Sequence, residues 1–118
     1  MKHIIFLFII LINFSSFARP LTESEKLGEL AWQVLNLGDM MQTIEIAEHP
    51  DKWYETNPTL GRNPSKGEVI SYFALRGILH YEITKRMDQF RWAWLGATIV
   101  PVINILHNNH EIGIRLSF

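Results

Sequence analysis

The sequence predicts an all-α protein: an export signal, then a small three-helix bundle with a long Pro/Asn-rich loop and a short carboxyl-terminal β-strand or extended tail. Three observations carry that expectation. Two Ser/Thr-x-x-Glu capping boxes each stand before an apolar pattern of helical period. Prolines 50, 58 and 64 crowd the segment between them. A third apolar run, Trp92–Leu106, contains no charged residue.

The amino end comes first. Met1-Lys2-His3 is a basic start, Ile4–Ile12 is unbroken apolar sequence, and Ser16 and Ala18 are small residues one apart. A charged start, an apolar core of about 7–15 residues and a small-x-small exit compose a secretory signal peptide. The expected cut lies between Ala18 and Arg19, giving a signal over 1–18 and one helical domain over 19–118. The competing reading is an uncleaved anchor, but the run is shorter than the roughly 20 residues a spanning helix needs. With no cysteine in the chain, a lipoprotein anchor, disulfides and thiolate zinc sites are excluded.

The first helix is expected over about 22–47. Thr22 and Glu25 form its capping box, and His49-Pro50 ends it, because proline cannot continue the hydrogen-bond ladder. Leu30, Val34, Leu37, Met41 and Ile44 recur at helical spacing and predict its apolar face. Residues 49–66 are too rich in Pro, Gly and Asn for regular structure and too long for a bare linker. Ser65 and Glu68 open a second helix over about 65–86. Asp88 is the expected N-cap of a third, over about 88–107, with Pro101 inside it and Asn108-Asn109 as its stop. The uncharged run within this helix fits either a membrane span or a buried core helix. Within the tail, 108–118, the segment Glu111–Phe118 alternates apolar and other residues with period two, as a strand does. One such segment cannot make an outer-membrane barrel.

Composition narrows function. Lys+Arg number 11 and Asp+Glu 12, a formal charge of −1, so no basic stripe speaks for nucleic acid. No nucleophile elbow, zincin or phosphate-loop motif is present, so no catalytic residue, cofactor or enzyme class is expected. His107 and His110 are spaced as metal ligands on a helix but lack a third partner, and no metal is expected.

Five residues stand out as a ligand site or structural polar seam. Asn36, Asp39 and Thr43 share one face of the first helix. That face is either the wet side or an interior hydrogen-bonding seam; in the second case Asp39 needs a partner such as Thr43, Asn36 or Arg76. Glu55 and Asn57 belong to Glu55-Thr56-Asn57-Pro58, a turn signature. Either they converge with Asp39 on a ligand, or they make a rigid loop.

Asp39-x-x-Gln42-Thr43, Glu55-Thr56-Asn57-Pro58, Leu60-Gly61 and Pro64-Ser65 together resemble a family of small bacterial and phage proteins built on a domain of unknown function. The resemblance covers roughly residues 30–85. It implies a membrane protein, with a helix bearing Asp and Thr before a Glu-x-Asn-Pro turn and two further apolar helices. No activity follows from it. The functional expectation is therefore an exported, non-enzymatic envelope protein in the inner membrane or periplasm. Its expected partners are the membrane, and a protein or a second copy met through the apolar helices. The alternative is a soluble periplasmic binding or accessory domain.

Overall fold

Thr22 opens the first helix as its capping pattern requires. Its hydroxyl accepts from the Glu25 amide at 3.2 Å, and the Glu25 carboxylate accepts from the Thr22 amide at 2.9 Å. A computed structural model describes residues 18–57, 59–114 and 116. Its elements are α1 (Glu23–Glu48), α2 (Lys66–Arg86), a 3-10 turn (Asp88–Phe90) and α3 (Arg91–Glu111). Helix α1 is the central member: it packs on both α2 and α3, which touch each other much less. The second capping box, Ser65 with Glu68, is present at the start of α2. The expected signal peptide, but for Ala18, and the last residues of the tail, Phe118 included, lie outside the described residues.

Three expectations need correction at the third helix. Asp88 does not cap it: its side chain makes no capping bond, its φ is 49°, and it pairs instead with Arg19 Nε at 3.2 Å. Asp tolerates the left-handed region better than most residues do. The helix also runs through Asn108 and Asn109 to Glu111, so residues 108–111 of the expected tail are helical. The reason is a distant partner. Asn109 donates its amide to Gln42 Oε1 on α1 at 3.0 Å, and is not drawn into the local backbone bonds with which Asn ends helices. No strand occurs among the described residues; the chain turns after Glu111 and buries Ile114.

The largest departure is the polarity of the helix faces. The predicted apolar face of α1 points outward over much of its length: Leu30, Val34 and Leu37 are 58, 60 and 46% exposed. Ile44 of that face is buried, with Trp32, Met40 and Ile46, but much of what turns inward is polar. Glu25, Glu29, Asn36, Asp39, Gln42 and Thr43 are all buried along α1; Glu29 meets His80 and Thr84 of α2, and Glu25 meets Arg91 of α3. The apolar core proper is a small cluster of Met40, Ile44, Val69 and Phe73 at the loop end of the bundle. Glycines let the helices close on this interior. A Cβ on Gly77 would come within 2.9 Å of Gln33 Oε1, and one on Gly28 within 2.9 Å of a Leu95 methyl, so a larger residue at either position would make those side-chain ends shift.

Helix α3 shares the pattern. Leu95 and Val102 are buried, whereas Trp92, Val100, Ile103 and Ile105 are 42–57% exposed. Among the described residues no helix is long and apolar enough to cross a membrane, so the spanning alternative for Trp92–Leu106 finds no support.

At the amino end of α1, Glu25 gathers several donors. Arg19 reaches it through two nitrogens at 2.8 and 2.7 Å, and Arg91 approaches at 3.4 Å. The Arg19 bonds, with the Thr22 amide next, hold the Glu25 carboxyl at about 2, well below its ordinary 4.5. A carboxyl lowered on folding stabilises the protein above its unfolded pKa and loses that contribution as pH falls through the folded one. Urea midpoints should therefore drop between about pH 4.5 and 2, and Glu25→Gln should flatten that drop. Asp39 acts in the opposite sense, because its carboxyl is raised on folding. A wild-type midpoint that does not fall across this window would show that Glu25 is not held as the geometry requires.

Candidate functional site

Where the loop folds back over α1 it encloses a cavity of about 530 Å³, lined on one side by Asp39, Thr43 and Arg76 and on the other by Glu55 and Asn57. Four of the five singled-out residues thus share one space. Asn36 does not join them. It lies one turn away between α1 and α2, donating its amide to the Phe73 carbonyl at 3.1 Å, while its Oδ1 is buried without a partner among the described residues.

Asp39 sits at the floor. Its carboxylate meets Arg76 at 3.2 Å, and the Arg76 guanidinium also lies over the rings of Phe73 and Trp32. Burial pushes the Asp39 carboxyl up; Arg76 opposes that shift and the nearby charge of Glu55 adds to it. The face that bears Asp39 is therefore the interior seam and not the wet side. Thr43 is buried beside it, with its hydroxyl donating back to the Asp39 carbonyl at 2.8 Å.

The loop is shaped by its own side chains. Glu55 Oε1 accepts from the amides of Thr56 and Asn57, both at 3.0 Å. Asn57 accepts from the Thr59 amide at 2.9 Å and donates to the Tyr72 hydroxyl at 2.9 Å, which fastens the turn to α2. The Glu55 amide donates to the Arg62 carbonyl at 2.8 Å and closes the loop on itself. All of Asn57's bonds serve the turn. Glu55 keeps its second carboxylate oxygen unpartnered among the described residues, so it both builds the loop and offers a charge to the cavity.

Two constellations escaped sequence reasoning. The first is the pair Glu29 and His80. The His80 ring stacks on Trp32 at 3.6 Å, and its Nδ1–H faces both Glu29 oxygens at 2.8 and 2.7 Å. Its Nε2 lies 2.8 Å from the Thr98 hydroxyl, and Thr84 donates to Glu29 at 2.6 Å. The second is Arg91, fully buried, which donates to the carbonyls of Thr84, Lys85, Pro20 and Arg19 as well as to Glu25. No local spacing signals either one, because each partner is supplied by another helix or by the amino-terminal segment. Among the described residues no group of three or more His, Asp or Glu is placed to hold a metal ion. No family model, curated protein or solved structure matches the chain.

Proposed function

We propose that the chain is an exported, non-enzymatic envelope protein that associates with the inner membrane through the outer faces of its helices. One observation supports this above all: the inverted distribution of polarity. Charged and amide side chains are sequestered and paired between the helices, while Leu27, Leu30, Val34 and Leu37 on α1 and Trp92, Val100 and Ile103 on α3 stand open. Single exposed apolar residues are ordinary, but contiguous apolar stripes mark a surface that is covered in the working state. Internally satisfied polar seams are also what an apolar surrounding demands of a helix bundle. The stripes lie on more than one helix, which suits a lipid interface better than a single protein patch. Association then runs through the helix faces in the headgroup region, as interfacial helices bind.

The test is extraction of isolated envelopes with alkaline carbonate, beside the triple variant Leu30→Gln/Val34→Gln/Leu37→Gln. The parent should stay with the membrane pellet. The variant should move toward the supernatant with little change in thermal stability, because the altered residues are exposed. Complete release of the parent by carbonate would overturn the membrane reading.

The cavity favours a second reading, a soluble periplasmic binding or accessory domain. Its volume falls in the range of small-molecule sites, and charged and amide side chains share its lining with apolar ones.

A further inference from the structure

The binding reading can be carried to a ligand class by asking which charges in the cavity are already matched. Asp39 and Arg76 satisfy each other on the floor at 3.2 Å. Two charges of opposite sign remain on the loop side. Glu55 uses only Oε1, on the Thr56 and Asn57 amides. Lys52, also lining the cavity, holds its ammonium 5.4 Å from the Trp53 ring centre and pairs with no carboxylate among the described residues. Ile46, Leu60, Ile105 and Ile112 supply an apolar part of the wall, beside the uncharged polar groups of Thr43, Thr56 and Asn109.

The fixed charges of this space therefore balance, yet one of each sign is left over. A ligand of single charge satisfies one and leaves the other facing it, whereas a neutral ligand carrying both signs satisfies the two together. We propose that the cavity takes a small zwitterion with an apolar body, its ammonium on Glu55 and its anionic group on Lys52. This rests on the binding reading of the cavity. The loop is already fixed by Asn57 to Tyr72 and by Glu55 to Arg62, so little ordering opposes entry. An ammonium beside Glu55 also relieves the repulsion between Glu55 and Asp39. A short apolar peptide has this chemistry, and so does an aminophospholipid headgroup with its chain.

Calorimetric titration of the purified protein, freed of its export signal if that is removed in the cell, tests the proposal with four probes. These are leucyl-leucine, its doubly blocked analogue N-acetyl-leucyl-leucine amide, lysophosphatidylethanolamine and lysophosphatidylcholine, the lipids below their micellar concentrations. At least one of leucyl-leucine and lysophosphatidylethanolamine should bind. Glu55→Gln and Lys52→Gln should each weaken it about tenfold, the loss of one charge-assisted contact. Gln at 55 keeps an oxygen for the Thr56 and Asn57 amides, and Lys52 is exposed, so both variants should fold; unchanged thermal midpoints verify this. Tighter binding of the peptide assigns a free zwitterion. Tighter binding of lysophosphatidylethanolamine, with lysophosphatidylcholine weaker, assigns the lipid headgroup. If the blocked peptide binds as well as the free one, or if the variants bind like the parent, the zwitterion is overturned while a binding cavity stands. If none of the four binds, both fall.

Discussion

Replacing Arg91 with methionine should lower the unfolding free energy by about 3–5 kcal/mol, the range for removing one partner of a buried ion pair. The side chain is fully buried, and its guanidinium ties three parts of the chain together. Nε donates to the Thr84 carbonyl at 2.9 Å and one terminal nitrogen to the Lys85 carbonyl at 2.6 Å, so it satisfies the carboxyl end of α2. The same group donates to the carbonyls of Pro20 and Arg19 and so holds the segment entering α1. Methionine fills part of the volume but leaves the buried Thr84 carbonyl and the Glu25 carboxylate without this donor, while the part-buried Arg19, Pro20 and Lys85 carbonyls lose theirs as well. Lysine should rescue only in part, since one ammonium cannot reproduce a planar fork of donors. Urea unfolding of parent, Arg91→Met and Arg91→Lys measures this. A methionine variant within about 1 kcal/mol of the parent would mean that water or backbone movement replaces the lost donors.

Arg91 also shows where the reading of the sequence stops. The elements were legible because their signals are local. Thr22 with Glu25 and Ser65 with Glu68 need only three residues' separation, and both boxes form. The inward face of α1 was legible only at its loop end, where Ile44 is buried, because periodicity defines a stripe without saying which stripe meets a neighbour. Leu30, Val34 and Leu37 make a regular apolar row, yet the row opposite them wins the interior. Glu29 finds His80, Asn36 finds the Phe73 carbonyl and Asp39 finds Arg76, each about ten helical turns away along the chain or further. The site was legible in part for the same reason. Asp39 and Thr43 share a helix face, and Glu55 and Asn57 share a turn, so each pair could be seen on its own. Their meeting across the cavity depends on how the loop folds back. His80 carried no signal beyond its being a histidine; its role follows from Glu29 lying opposite it.

The second large effect is expected at that pair, and its sign depends on whether one residue or both are changed. His80→Phe keeps a flat ring to stack on Trp32 but removes the donor that faces the Glu29 carboxylate. Glu29 is then left in the interior with Thr84 and a 3.3 Å contact from Gln33, and a loss of about 3–5 kcal/mol should follow. Glu29→Met combined with His80→Phe should recover most of it, because the carboxylate and its ring donor leave together and well-packed apolar groups often substitute for a buried pair without loss. The neighbouring groups permit this. Thr84 can still donate to the backbone carbonyl at position 80, Thr98 to that of Trp94, and the Trp94 indole still donates to Thr84. Gln33 also loses a partner, and it retains the Gly77 carbonyl at 2.9 Å. The four proteins form a double-mutant cycle read by urea midpoints, in which the coupling between positions 29 and 80 should be a large fraction of the single-variant loss. A double variant as unstable as the sum of the singles would sink the idea that the pair is exchangeable. It would instead assign the stability to Thr84, Thr98 and Trp94 acting with Glu29 and His80 as one network, each member depending on the hydrogen bonds of the others.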